Sequence, residues 1–172
     1  LNSTNLFLQK QIEERLQAQQ QLEYDAQHDS LTGLANRVLF NRRLKLALAS
    51  KQRYTKSNYA VIFIDLDRFK QINDSLGHMA GDQFLKEVAI RINSCIRGHD
   101  LLARLGGDEF VVLFDNFDSP TDVEEISARI ISFIAKPFRI ENKDMYSGAS
   151  IGIAFIESGY QTTDEVLRDS DA

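Results

Sequence analysis

Residues 59–67 read Tyr-Ala-Val-Ile-Phe-Ile-Asp-Leu-Asp, and this stretch decides the fold class. Its first six residues are rich in β-branched and aromatic strand formers, which predicts a short buried β-strand over Tyr59–Ile64. Asp65 follows directly, so its carboxylate is expected at the carboxyl end of that strand. Ligands of open α/β sheets bind at such ends. The stretch therefore predicts a central strand with a polar site at its end.

Predicted helices and strands alternate on both sides of this strand. Apolar residues at helical spacing and capping residues predict the helices. Two short apolar runs around a Gly-Gly pair predict a β-hairpin. The alternation indicates an α/β sandwich (α+β) with a mixed sheet, flanking helices and a β-hairpin carrying residues 106–110. The predicted helices are 36–48, 81–96, one beginning at Ser119-Pro120 and one beginning at a capping box over 162–165; the other predicted strands are 101–104, 110–114 and 145–156.

The first 27 residues differ in composition from the rest of the chain. Residues 9–27 contain no glycine or proline and many Gln, Glu, Leu and Ala, which are good helix formers. Apolar residues recur at helix-like spacing, but Gln19 interrupts the stripe. Two interpretations stay open: a solvated lead-in helix, or the end of a coiled coil that joins an upstream module and pairs two chains. The predicted division is a linker helix over 1–27 and one domain over 28–172.

Composition limits the class of protein. The 172 residues carry 20 Lys plus Arg against 25 Asp plus Glu, a net charge of −5, which argues against binding nucleic acid through a basic face. No apolar run approaches the roughly 20 residues of a membrane span, and a single cysteine, Cys95, excludes an internal disulfide. We expect a cytoplasmic domain with no membrane contact of its own. Because the chain starts at Leu1 and stops at Ala172, we also expect a fragment of a longer protein, whose other parts are free to anchor it in a membrane.

Two acidic clusters are the candidates for chemistry. Asp65 and Asp67 follow the central strand, and Asp108 and Glu109 follow the glycines at the hairpin tip. Adjacent carboxylates repel each other in an ordinary turn unless a cation neutralises them. If the two clusters meet, Asp65 and a hairpin carboxylate can hold Mg²⁺, a hard ion that takes oxygen ligands and shares phosphate oxygens with a substrate. On this pattern alone, two solvated acidic loops remain the alternative.

Longer strings stand in order along the chain: His28-Asp29-Ser30-Leu31-Thr32-Gly33-Leu34-Ala35-Asn36-Arg37, Asp65-Leu66-Asp67-Arg68-Phe69-Lys70-Gln71-Ile72-Asn73-Asp74, Gly77-His78, Gly81-Asp82, Arg104-Leu105-Gly106-Gly107-Asp108-Glu109-Phe110 and Ala149-Ser150-Ile151-Gly152-Ile153-Ala154. Together they resemble the signature of the GGDEF family, the diguanylate cyclases of bacteria, over residues 28–172. The resemblance implies a fold like the catalytic core of nucleotidyl cyclases and polymerase palms. It also implies a reaction in which two GTP molecules condense to cyclic di-GMP and release two pyrophosphates.

The resemblance also implies roles for the acidic residues. Asp65, Asp108 and Glu109, with the main-chain carbonyl of Leu66, are the implied ligands of Mg²⁺ or Mn²⁺. The implied catalytic residues are Asp108, Glu109 and Lys70. Glu109 would lie at the reacting 3′-hydroxyl, where it assists deprotonation or binds a second ion.

A second set of residues is implied in binding GTP. Asn73 and Asp82 would read the guanine edge, because a carboxylate accepts from guanine N1–H and the amino group, which adenine does not present in that arrangement. Lys70, as a point charge beside main-chain N–H groups, would hold the terminal phosphates, and Phe69 belongs to the same substrate site. Taken singly, Asn73 and Asp82 are equally compatible with helix caps or surface polar residues.

The symmetric product has consequences for assembly and control. Each attacking hydroxyl must face a phosphate held by another chain, so the resemblance implies a two-fold homodimer for catalysis. Arg97 and Asp100 resemble the family's product-binding inhibitory motif, with Arg129 as a supporting arginine. Arginine can fork onto phosphate and stack on guanine. The alternative for this pair is a surface ion pair at a helix end.

Two points qualify the resemblance. Family members continue with a Tyr-x-Ala-Lys segment whose lysine clamps the phosphates, and the chain ends just before it, so we expect weak GTP binding and poor turnover from these residues alone. The competing hypothesis is a regulatory GGDEF domain that binds GTP or cyclic di-GMP without catalysis. Such a domain would receive signals from an upstream sensor module and control a downstream phosphodiesterase (EAL) domain.

Overall fold

The computed structural model describes residues 2–54, 56–157, 159–160 and 162–170. Strand β1 (Tyr59–Leu66) is an inner strand of its four-stranded sheet. The strand order is β2-β3-β1-β6, and a separate two-stranded sheet pairs β4 with β5. The remaining bounds are α1 Asn2–Gln27, α2 Arg37–Arg53, α3 Phe69–Leu76, α4 His78–Cys95, β2 Leu101–Gly106, β3 Glu109–Asp115, α5 Pro120–Ile134, β4 Phe138–Ile140, β5 Lys143–Met145, β6 Ala149–Ile156 and α6 Thr163–Ser170.

Helices cover both faces of the sheet. Ile62 and Ile64 of β1 belong to a core shared with α4 and α5, whereas Val61 and Phe63 belong to a core shared with α2 and α6. Side chains alternate between the two faces of a strand, and β1 is apolar from Tyr59 to Ile64 because both of its faces are covered there. This double burial explains why its sequence shows no polar–apolar alternation.

The predicted α/β class is confirmed, and the structure refines it. Each ladder between two described strands is antiparallel, where a mixed sheet was expected, because β1 lies between β3 and β6 and both run opposite to it. Helix α3 and strand β4 were not predicted. The strand expected over 145–156 is divided between β5 and β6, with residues 146–148 connecting them.

Three predicted helix starts are confirmed in atomic detail, whereas the helix expected over 81–96 begins earlier, at His78. The side chain of Asn36 accepts a hydrogen bond from Leu39 N–H at the start of α2. Ser119 and Asp122 form a capping box around Pro120 at the start of α5. Thr162 and Glu165 exchange the same reciprocal pair of bonds at the start of α6. These caps satisfy N–H groups that have no partner within their helices.

Helix α1 carries no buried residue along its 26 positions. Leu16 is 55% exposed and Leu22 is 70% exposed, so its apolar side chains face solvent in a single chain. Its carboxyl end is attached to the domain through Asn36, which donates from its main chain to Gln27 and from its side chain to Ala26. Within the described residues, no helix has the length and hydropathy needed to span a bilayer.

Candidate active site

The hairpin between β2 and β3 ends in a two-residue turn formed by Gly107 and Asp108. The turn begins with Gly106 at φ 143° and Gly107 at φ 50°, and such positive φ values favour glycine. The strands extend further than the sequence predicted, so the acidic residues lie at the strand end itself. Glu109 is already paired in the ladder, opposite Gly106.

The strand register brings the two acidic clusters together. In the β1–β3 ladder Asp65 lies directly opposite Glu109, and Leu66 N–H donates to the Asp108 carbonyl at 3.3 Å. Residues directly opposite in an antiparallel ladder have Cα atoms about 4.5–5.5 Å apart. We call Asp65, Leu66, Asp108 and Glu109 the hairpin site.

The hairpin site lies at the protein surface. Asp65 is exposed, and Asp108 and Glu109 are partly exposed. Glu109 forms a 3.8 Å ion pair with Arg37 at the start of α2, and both side chains are about half exposed (44% and 51%). Exposed pairs of this kind hold a side chain only weakly. The pairing of two carboxylates opposite each other is unfavourable without a cation.

The donors of the hairpin site fit a magnesium-like ion. Its donors are carboxylate and carbonyl oxygens, and Mg²⁺ is commonly bound by one or two carboxylates while it keeps waters and substrate phosphate oxygens. The described residues contain no group of three or more His, Cys, Asp or Glu side chains arranged to hold a metal ion. The site therefore fits an ion whose coordination the substrate completes, rather than a closed protein cage.

Arg104 braces the hairpin turn, a role that the sequence did not predict. Its guanidinium donates to the Gly107 carbonyl through Nε at 3.0 Å and Nη2 at 2.8 Å, and to both carboxylate oxygens of Asp29 at 3.0 and 3.1 Å. The Thr32 hydroxyl and N–H also donate to Asp29. Burial opposes ionisation of Asp29, but these hydrogen bonds and the Arg104 charge outweigh it and lower the pKa of Asp29.

The loop from β1 to α3 has a structure suited to anions. Arg68 adopts a left-handed conformation (φ 62°) at the start of α3, and its side chain makes no capping hydrogen bond to that helix within the described residues. Lys70 is exposed in its first turn. Uncapped helix N-termini bind phosphate through their N–H groups and dipole. Asp67, in contrast, accepts a hydrogen bond from Ser150 at 3.1 Å, which indicates a bracing role.

The predicted base-reading residues lie between α3 and α4. Asn73 of α3 is packed against Gly81 of α4, which precedes Asp82 in sequence. Its Oδ1 is buried and has no hydrogen-bond partner in the part of the chain that the structure describes. Phe69 is half-buried and lies 6.2 Å from the Phe84 ring, centroid to centroid. Asp82 is exposed. The structure thus brings Phe69, Asn73 and Asp82 to one helix pair.

Of the three predicted inhibitory residues, Arg97 and Asp100 are bonded to each other. Asp100 is 9% exposed, and it accepts from Arg97 N–H at 2.8 Å, from two Arg97 guanidinium nitrogens at 3.1 and 3.2 Å, and from Asp115 N–H at 3.2 Å. The Arg97 guanidinium also covers the Phe114 ring at 4.1 Å. We call these contacts the Arg97–Asp100 turn. Arg129 is exposed on α5 and makes no bond to either residue within the part of the chain that is described.

Comparison with known proteins adds sequence relatives. The chain matches the family described as "Diguanylate cyclase, GGDEF domain" over residues 26–172. It is 44% identical over 151 residues to the diguanylate cyclase TpbB of Pseudomonas aeruginosa, covering 87% of this chain and 34% of that protein. It is 42% identical over 147 residues to the bifunctional diguanylate cyclase/cyclic di-GMP phosphodiesterase MucR of the same species, covering 86% and 21%. The chain thus spans about a third or less of the length of these relatives.

A solved structure covers nearly the whole chain. It contains the coiled coil and GGDEF domain of DgcB from Caulobacter crescentus in complex with c-di-GMP. The TM-score is 0.89 at 25% identity, and the match covers 99% of this chain and 90% of that one. The match therefore includes the region of α1 as well as the domain.

Proposed function

Because the chain belongs to the GGDEF family of diguanylate cyclases, we propose that it condenses two GTP molecules into cyclic di-GMP with release of two pyrophosphates. The observation that carries the proposal is the pairing of Asp65 with Glu109 beside Asp108. This pairing joins two distant acidic segments at one exposed strand end. Since GTP is the substrate, we place the reaction in the cytoplasm.

The hairpin site is proposed to hold the metal. Asp65, Asp108, Glu109 and the Leu66 carbonyl would ligate Mg²⁺ or Mn²⁺. When bound, the ion supplies charge stabilisation for the attacking and leaving oxygens of an in-line displacement. The weak ion pair with Arg37 leaves the Glu109 carboxylate able to turn towards the 3′-hydroxyl and accept its proton.

The GTP molecule is proposed to lie along α3. Its terminal phosphates would meet Lys70 and the uncapped N–H groups at the start of the helix. Its guanine would reach Asn73 and Asp82, one helical segment further on, with Phe69 beside it. Positioning of this kind contributes much of the catalysis in phosphoryl transfer.

Catalysis is proposed to need two chains. One hairpin site holds one GTP, so the attacking hydroxyl and the attacked phosphate come from facing domains related by a two-fold axis. The exposed Leu8, Ile12, Leu16 and Leu22 of α1 give that helix a surface to pair with a second copy. An upstream sensor module would then control the reaction through the relative position of the paired helices.

Product inhibition is proposed at Arg97, Asp100 and Arg129. In the described conformation Asp100 is fully used by internal bonds. Binding cyclic di-GMP there would require these bonds to be exchanged for bonds to guanine and phosphate. The proposal predicts that inhibitory binding is accompanied by a local rearrangement around Asp115.

The main competing function is a regulatory domain that binds nucleotide without turnover. The bifunctional relative supports only the attached phosphodiesterase of this hypothesis, because its name gives both cyclase and phosphodiesterase activities to one chain. A downstream EAL domain would then be the regulated partner. The two functions share the nucleotide site and differ in whether product forms.

Incubation with GTP and Mg²⁺, followed by nucleotide chromatography, distinguishes these functions. We expect cyclic di-GMP from the protein and a loss of at least about 100-fold in Asp108→Ala. Asp118→Ala is the matched control, because Asp118 is exposed and outside the site. Tight GTP binding without product in the unaltered protein would overturn the enzyme and support the regulatory domain.

A further inference from the structure

Gly81 lies against the end of the Asn73 side chain. A β-carbon built on Gly81 would be 1.8 Å from Asn73 Oδ1 and 2.9 Å from Asn73 Cγ. The next atom, Cε2 of Phe69, would be 3.5 Å away, which is an ordinary van der Waals distance. The absent side chain of Gly81 therefore forms a recess that the Asn73 amide fills.

The Oδ1 end of the Asn73 side chain is held in this recess by packing against Gly81. This oxygen is buried and has no hydrogen-bond partner among the described residues. A buried acceptor left without a donor costs about 1–3 kcal/mol, so this orientation is kept at the expense of stability.

We propose that Gly81 is a positioning residue for base recognition, because its missing side chain fixes the orientation of the Asn73 amide beside Asp82. The inference rests on the proposed function, in which Asn73 contacts guanine. Gly81 would not touch the nucleotide. It would act by admitting the amide to a recess that any other residue closes.

The substitution Gly81→Ala should separate folding from recognition. Gly81 lies inside α4 with an ordinary helical φ, and alanine is favoured over glycine in a helix by about 1 kcal/mol. The only close contact of the added methyl is with the movable end of Asn73. The domain should therefore fold at least as stably as before, while the amide is turned out of its position.

A double-mutant cycle tests the inference through ligand affinity. Calorimetry would measure the binding of GTP and of inorganic triphosphate, both with Mg²⁺, to the unaltered protein, Gly81→Ala, Asn73→Ala and the double variant. One lost hydrogen bond corresponds to about a tenfold loss of affinity. We expect about that loss for GTP in each single variant, no change for triphosphate, and no further loss in the double variant.

Asn93→Ala is the matched control. Asn93 is exposed near the end of α4, and its replacement raises helix propensity without approaching Asn73. Its affinity for GTP should not change. Melting temperatures of all variants would show that each is folded.

Two outcomes would overturn the inference in different ways. Gly81 does not act through Asn73 if the unaltered protein prefers GTP over triphosphate and Gly81→Ala keeps that preference. The same conclusion follows if the losses of affinity in the two single variants add in the double variant. If the unaltered protein binds GTP no better than triphosphate, the proposed guanine site is wrong, and the inference fails with it.

Discussion

The hairpin site and the Arg97–Asp100 turn each have a carboxylate next to an arginine, but the first carboxylate is exposed and the second is buried. Each places an arginine beside a carboxylate, but Glu109 meets Arg37 at 3.8 Å in solvent, whereas Asp100 is buried and accepts four hydrogen bonds from its surroundings. The difference teaches that a carboxylate's role depends on the main-chain donors around it. The carboxylates of the hairpin site are available to bind a ligand. The carboxylate of the Arg97–Asp100 turn is already occupied by internal hydrogen bonds that stabilise the fold.

Glu109→Gln should show the largest effect, on activity alone. A general base contributes about 10²–10⁴ to the rate, so we expect cyclic di-GMP formation to fall by about that factor. The free energy of unfolding should change by less than about 0.5 kcal/mol, because the lost ion pair is exposed. Chromatography and urea denaturation measure the two quantities, with Glu124→Gln as the control. A large loss of stability would show that the Glu109 carboxylate is held by the fold rather than available to a ligand.

Asp100→Ala should show the reverse pattern, a loss of stability. Removing this buried carboxylate leaves the main-chain N–H groups of Arg97 and Asp115 without their acceptor and breaks the ion pair with the Arg97 guanidinium, which should lower the free energy of unfolding by about 3 kcal/mol. Urea denaturation measures the change, and Asp118→Ala should cost less than about 0.5 kcal/mol. An unchanged free energy of unfolding in Asp100→Ala would show that the bonds of the Arg97–Asp100 turn do not stabilise the fold.

Asp29→Asn tests the brace that links the start of the domain to the hairpin turn. Loss of the charge weakens the bonds from Arg104 and Thr32, and we expect a cost of about 1–2 kcal/mol at pH 7. Because the pKa of Asp29 is lowered in the folded state, this stabilisation is complete above its ordinary value of 3.8 and is lost as pH falls below it.

The measurement for Asp29 is the difference in unfolding free energy between the unaltered protein and the variant as a function of pH. The difference should be constant near neutrality and should close in acid. Asp144→Asn is the control, because its bond to Arg139 is exposed. A difference that grows as the pH falls would show that the sign of the pKa shift is wrong.

Arg37→Ala should show the smallest effect on stability. Its ion pair with Glu109 is about half exposed on each side and should contribute less than about 0.5 kcal/mol. Thermal or urea unfolding would detect anything larger. A cost above about 1 kcal/mol would mean that Glu109 is held as firmly as Asp100, and the contrast between the two regions would disappear.

Local patterns in the sequence were sufficient for much of the fold. The apolar run of β1, the Ser119-Pro120 start of α5 and the Gly-Gly hairpin each depend on a few adjacent residues, and each was predicted. Helix α3 was missed because it has eight residues, too few for its apolar positions Phe69, Ile72 and Leu76 to form a clear period.

The sequence indicated the two acidic segments of the candidate site, but it did not predict the contacts that hold them. The sequence patterns alone left open whether the two acidic clusters meet, and the family resemblance implied that they do. The strand register places Asp65 opposite Glu109. The bond from Arg104 to Asp29 joins residues 75 apart, and the contact of Asn73 with Gly81 depends on the packing of two helices. The buried state of Asp100 depends on the Asp115 N–H across the sheet edge. Such contacts arise from tertiary packing, which no local pattern encodes.

Convergence of Asp65 and Asp108 on one cation is tested most directly by Mn²⁺ binding. Electron paramagnetic resonance of free Mn²⁺ would give the affinity of the protein for Mn²⁺ in the presence of 3′-deoxy-GTP. This nucleotide lacks the attacking hydroxyl and cannot react. We predict that Asp65→Asn and Asp108→Asn each weaken Mn²⁺ binding by at least about tenfold. Unchanged Mn²⁺ affinity in either variant would show that the two segments do not share a metal ion.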